Sequence, residues 1–410
     1  MKQELLAKYA RVAVVIGANV QKNQRLIVNS STETKELARE IARQAYLVGA
    51  KSVDILWNDA FVSRYGYEFM SDDELQNVPE WIVARYRYYV NEGACLISIA
   101  SPITGVNEGV DTSKIQKSSV AVSKAIAFFR NHTMANKTQW CVIAAPNPIW
   151  AQKVFPGTPA DEAVSKLWDA ILKASRVLKD NDPVQDWNHH NEILAKHNRV
   201  LNDLQFASMH FKNKLGTDIV VKLVDNHIWA GGGEHSEPGV FFNPNIPTEE
   251  TFTMPHKYGV DGIVYATKPL DYQGNLIEDF WLRFEQGKVV AYGAKKNEST
   301  LKNLLESDEG SSRLGEIALI SHDSPISNSG ILFLNTLFDE NASCHMALGR
   351  AYPINVQGGV NMSPEALEQV GYNHSMSHSD FMFGSADMEI VGTKKDGSKV
   401  TVFTKGNFVI

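Results

Sequence analysis

A chain of 410 residues, 43% hydrophobic and 21% charged, is too long for a single ordinary core and has the composition of a globular protein, so two domains, or one large domain with an appended lobe, are expected. The formal net charge of −7 is mildly acidic and no long basic run occurs, which argues against nucleic acid or an anionic membrane as partner. The three cysteines, Cys95, Cys141 and Cys344, are scattered and form no Cys-x-x-Cys, so neither a thiolate zinc site nor a disulfide framework is indicated and a reducing compartment fits.

The opening MKQELLAKYARVAVVIGANV is apolar but interrupted by Glu4, Lys8 and Arg11, at spacings that suit an amphipathic helix better than a signal peptide. No stretch approaches the roughly 18 apolar residues of a membrane span, and a cytoplasmic location is expected. Residues 25–29 read as a short apolar strand, followed by the N-cap hydroxyls of Ser30, Ser31 and Thr32. Leu37, Ala38, Ile41, Ala42, Ala45 and Tyr46 then recur at three and four, a helix face closed by Gly49. With a second strand at 52–57 this makes a βαβ unit, which implies parallel strands and a right-handed crossover.

Strands at 94–99 and 139–144, a helix over 118–132 between them, and helices over 158–178 and 187–206 continue the pattern. The spacing predicts a doubly wound α/β N-terminal domain over 1–230. No Gly-x-Gly-x-x-Gly or Walker loop follows any of its strands, so no nucleotide cofactor is indicated. Residues 231–410 have another texture and predict a β-rich, metal-binding domain. Segments 262–267, 278–284 and 288–294 alternate around a Gln286-Gly287 turn, and 388–392 and 399–403 flank Lys395-Asp396-Gly397. The run Gly231-Gly232-Gly233 is read either as a flexible connector or as backbone lining a site.

Oxygen and nitrogen ligands for metal ions are concentrated in short strings of this second half. Pro247-Thr248-Glu249-Glu250 precedes a strand, and Leu314-Gly315-Glu316 opens another. Asp339-Glu340 and His345 bracket a turn, and the chain later reads His378-Ser379-Asp380. In extended backbone, residues i and i+2 point to one side, so His378 and Asp380 are able to share one cluster. There is no His-Glu-x-x-His, which excludes the single-zinc protease geometry. Taken singly, each of these acids and histidines is more readily read as a solvated or hydrogen-bonded surface group.

The strings PTEETFTMPH (247–256), GVDGIV (259–264), RLGEIAL (313–319), LNTLFDENASCHMALGRAYP (334–353) and HSMSHSDFMFG (374–384) occur in order and resemble the aminopeptidase T, or thermophilic aminopeptidase, family of metallopeptidases. RLIVNSSTETKELAREIARQAYLVGAKSVDILWND (25–59) resembles that family's N-terminal lobe. The resemblance implies two divalent metal ions (Zn, Co or Mn) held by Glu250, Glu316, Glu340, His345, His378 and Asp380, with Glu316 as the bridging carboxylate. It implies a shared, activated water that hydrolyses the N-terminal peptide bond of short peptides with a free N-terminus. By analogy with other two-metal exopeptidases Glu249 is the expected general base, and Tyr352 the expected oxyanion donor. The same family implies a homodimer. His374, His322, His235 and His256 are competing imidazoles, and Cys344 is read as a small buried thiol. Another two-metal hydrolase (a dipeptidase or amidohydrolase) and a non-catalytic peptide-binding protein are the alternative readings.

Overall fold

A computed structural model describes residues 3–272 and 275–410 of the chain. The chain divides into two compact units, Met1–His189 with Gly233–Pro247, and His190–Gly232 with Thr248–Ile410.

The first unit is built on a four-stranded parallel sheet. Its strands are Arg25–Ser31, Ser52–Asn58, Cys95–Ala100 and Trp140–Ala144, in spatial order second, first, third, fourth. The strand order reverses at the Arg25–Ser31 strand, as in a doubly wound sheet. Leu26, Ile27 and Val28 are wholly buried, as a central strand covered on both faces requires. The helix Lys35–Leu47 supplies the first crossover, burying Leu37, Ala38, Ile41 and Ala45. The helix expected over 118–132 is two helices, Thr112–Ala125 and Ala127–Met134. The break at Ile126 brings Ile126 and Phe129 into a cluster with Ile27, Tyr89 and Ala94. Three helices between residues 60 and 91 had no counterpart in the sequence reading. The first of them, Ala60–Phe69, is capped by Asp59, whose carboxylate accepts from the Phe61 and Val62 N–H groups, and it has no buried residue.

The second unit is β-rich, with one long helix, Pro183–Leu204, whose residues from His190 onward belong to it. Among the described residues nine strands form one sheet, whose ladder pairs are antiparallel. The hairpin between Asn275–Glu285 and Lys288–Lys296 turns at Gln286 and Gly287, both with positive φ, as a tight two-residue hairpin demands.

A smaller antiparallel sheet, in spatial order His378–Met382, His345–Gly349, Leu314–Leu319 and Thr251–Thr253, has two faces with different tasks. Ile317, Leu319, Met346, Leu348 and Phe381 belong to the main core, with Phe211, Phe280 and Phe284 of the larger sheet. Because side chains alternate along a strand, Glu316, His345, His378 and Asp380 fall on the other face. In this sheet Ala347 pairs with both Glu316 and Asp380.

Two tests follow from this packing. Phe381→Ala removes a buried ring beneath Asp380 and is expected to cost about 3–5 kcal/mol, read as a lower urea midpoint at unchanged slope. The His197 ring stacks on Phe408 at 3.9 Å. Burial first, then the charges of Lys196 and His190, bring its pKa down from 6.5 to about 4. Between those values the unfolded chain takes up a proton that the folded ring refuses, so stability should fall as pH drops through this window. His197→Phe should flatten that dependence; an unchanged pH profile of the unfolding midpoint would remove His197 from the account.

Candidate metal centre

The small sheet assembles the centre from segments far apart in sequence. Glu250 lies immediately before the Thr251–Thr253 strand, and Glu316, His345, His378 and Asp380 lie on the other three strands. Glu340 begins the short 3-10 turn Glu340–Ala342 that leads into His345. Two groups of ligand atoms form, Glu250 with Glu316 and His345, and Glu316 with His378 and Asp380, and within each the atoms lie inside 4.8 Å of one another. Glu316 is common to both. Its Oε1 stands 3.3 Å from His345 Nε2 and its Oε2 3.8 Å from His378 Nε2. Glu250 Oε2 is 3.4 Å from the same His345 nitrogen.

Both imidazoles are oriented from behind. His345 Nδ1 donates to the Glu340 carbonyl at 2.8 Å, and His378 Nδ1 donates to the Arg350 carbonyl at 2.7 Å. A carbonyl oxygen only accepts, so Nδ1 carries the hydrogen and each Nε2 faces the carboxylates. Metal-ligating histidines are usually held this way.

Electrostatics point in the same direction. Burial opposes a charged His345 ring, but the hydrogen bond it donates to Glu316 and the charges of Glu250, Asp380 and Glu316 carry it up to about 10. His378, also opposed by burial, is brought up to about 9 chiefly by Asp380 and Glu316. Burial, with Glu316 and Asp380 adding repulsion, raises Glu250 to about 7 against the pull of His345. Glu340 is raised by burial and by Glu250 and Asp380. Burial likewise works against the Asp380 charge, yet its contacts with His378 and His345 hold it below the ordinary range. Asp380 Oδ1 lies 3.2 Å from His378 Nε2, but no hydrogen bond of adequate angle reaches this buried oxygen.

Three carboxylates and two imidazoles in these groups, with an oxygen left undonated, make a set that divalent cations complete; Glu340 lies outside both groups and is tied to them through its electrostatic coupling to Glu250 and Asp380. The donors are oxygen and imidazole nitrogen with no thiolate, a chemistry suited to divalent cations that accept both. A cation must displace the Nε2 protons, so binding releases protons and weakens as pH falls.

The remaining expected residues fall into different surroundings. The Tyr352 ring lies 4.8 Å from the His378 ring. Burial, then the charges of Glu316, Asp380, Glu340 and Glu250, raise its phenol above the usual range, so it stays protonated and able to donate. Glu249 is outside both ligand groups, and its Oε2 stands 3.6 Å from His190 Nε2. His374 contacts the Pro364 carbonyl, His322 contacts Ser327, His235 packs on Phe241 and His256 packs on Tyr258. None of the four belongs to either ligand group. Cys344 is buried and its thiol is pushed up to about 12, chiefly by that burial.

Several supporting residues escaped the sequence reading. Asp308 accepts from Ser375 Oγ and the Met376 N–H, pinning the loop that leads into His378. Buried Asn373 donates to the Gly310 and Gly349 carbonyls, and buried Asn341 accepts from the Glu249 N–H. Only their polarity was visible in the sequence, without any periodic signal. Gly231 has φ +139°, and a Cβ there would lie 2.2 Å from the Glu250 carbonyl oxygen. The glycine therefore lines the site's backbone.

Comparison with known proteins gives a consistent result. A family model described as thermophilic metalloprotease (M29) matches residues 2–408. The chain is 45% identical over 403 residues to aminopeptidase AmpS of Bacillus subtilis (strain 168), covering 98% of each. It is 37% identical over 407 residues to aminopeptidase T of Thermus aquaticus, covering 99% of each. The solved structure of wild-type AmpT from Thermus thermophilus matches with a TM-score of 0.90 at 35% identity, covering 100% of both chains.

Gly231→Ala tests the backbone contact. It should leave the far-UV circular dichroism intact and lower metal affinity by displacing Glu250; unaltered affinity in calorimetric titration with Zn²⁺ would show that the close approach has no bearing on the centre.

Proposed function

Since the chain belongs to the thermophilic metalloprotease family, we propose that it is a metal-dependent aminopeptidase that removes N-terminal residues from short peptides, with the second unit catalytic. The observation that carries this reading is Glu316, which turns one oxygen toward each of two back-held histidines. The names of its relatives support it. Glu250, Glu316, Glu340, His345, His378 and Asp380 would hold two divalent ions (Zn, Co or Mn). Those ions would supply a shared, activated water and polarise the scissile carbonyl.

The chain's own residues do the rest. Tyr352, protonated and beside His378, donates to the oxyanion as it forms. Glu249, adjoining Glu250 in the chain, takes the proton of the attacking water and returns it to the leaving amine. Among the described residues no helix is long and apolar enough to cross a membrane. We read the protein as a cytoplasmic homodimer, and light scattering measures the assembly directly.

The purified protein should cleave amino-acid anilides, lose this activity to a chelator and regain it with Zn²⁺, Co²⁺ or Mn²⁺. Full activity after verified metal removal would sink the mechanism. Glu316→Ala and His345→Ala should each lower kcat/KM by more than about 100-fold, beyond the effect usual for losing an outer-shell partner, while leaving folded protein. Cleavage of N-acetylated substrates at an equal rate would favour a different two-metal hydrolase.

A further inference from the structure

One flank of the helix Pro183–Leu204 carries His190, Leu194, Asn198 and Asn202 at intervals of four residues, and its contacts converge on the segments around Glu250. Asn202 donates to the Trp229 carbonyl and accepts from the Trp229 N–H. Asn198 donates to the Gly231 carbonyl at 3.0 Å and accepts from Thr251 Oγ1. Leu194 fills the space over Gly232. One turn earlier, buried His190 places Nε2 2.8 Å from the Thr248 carbonyl and 3.6 Å from Glu249 Oε2. The carbonyl accepts only, so this nitrogen bears the hydrogen and presents it between the backbone and the carboxylate. Residues at i and i+4 share a helix flank, which is how one helix clamps 229–232 and 248–251 together.

We propose that His190 is a positioning residue for the hydrolysis, fixing the Glu249 carboxylate and the peptide of Thr248 in front of Glu250. The role rests on the aminopeptidase reading above. His190 does not reach the substrate; it acts through Glu249. Removing it frees the carboxylate to rotate while the ligands on the other three strands stay in place.

The test uses the full-length, metal-loaded protein and an amino-acid anilide. His190→Ala should lower kcat by at least about tenfold, within the range of losing a well-placed base. KM and metal content should stay unchanged. His190→Gln retains an N–H donor and should recover most of the rate. Combining His190→Ala with Glu249→Gln should be no slower than Glu249→Gln alone, because the two act as a unit. Additive losses, a loss of kcat that tracks lost metal, or no recovery with Gln would each overturn the proposal. An independent reading comes from ¹⁵N NMR, where the His190 Nε2 resonance should move in Glu249→Gln. Turnover with an unmoved resonance would place the failure in the His190–Glu249 pair. A resonance that moves in Glu249→Gln, with a wild type that leaves every anilide intact, would place it in the aminopeptidase reading, and the positioning role would end with it.

Discussion

The buried carboxylate of Glu316 is held where two histidines and three further acids converge, and much of the second unit is arranged around the resulting concentration of negative charge. Left without compensation, such a group of carboxylates either takes up protons or drives its members apart. The first response is visible: Glu250 and Glu340 are raised, and so are His345 and His378. A rigid support is needed to keep mutually repelling groups together. The small antiparallel sheet provides it for Glu316, His345 and Asp380, whose chain neighbours Ile317, Met346 and Phe381 are locked into the main core.

Of that sheet the sequence showed the strand after Glu250 and the one that Leu314-Gly315-Glu316 opens, and the i, i+2 rule put His378 and Asp380 on one face of extended backbone. The strand His345–Gly349 was not read, because it is buried along its whole length and has no alternation to betray it. The parallel sheet of the first unit was legible, since Arg25–Ser31 and Cys95–Ala100 are apolar runs framed by turns. Segment 60–91 was not. The helix Ala60–Phe69 has no buried face, so it shows no amphipathic stripe against which a period can be measured. The break at Ile126 was invisible for a related reason, because only the tertiary cluster around Phe129 rewards it.

Within the centre, spacing alone suggested an acidic, histidine-rich region, and the family-like strings singled out particular residues. Neither route disclosed what stands behind them. His190, Asn341 and Asn373 carry no motif, and the contacts by which they brace the centre reach from 24 to 92 residues along the chain. Such contacts are a property of the folded backbone, so their residues look like ordinary polar positions in a helix or loop. Gly231 is intermediate: its glycine-rich run was conspicuous, but only the approach to the Glu250 carbonyl separates a backbone constraint from a hinge.

The two faces of the small sheet also tie the chemistry to the persistence of the fold. Any cation that prefers the folded arrangement over the unfolded chain adds its binding free energy to stability by mass action. Ile317, Met346 and Phe381 lie one residue along the backbone from Glu316, His345 and Asp380, so the core and the centre loosen together. Divalent cations would thus act on this molecule twice, as participants in its reaction and as determinants of how long each copy resists unfolding.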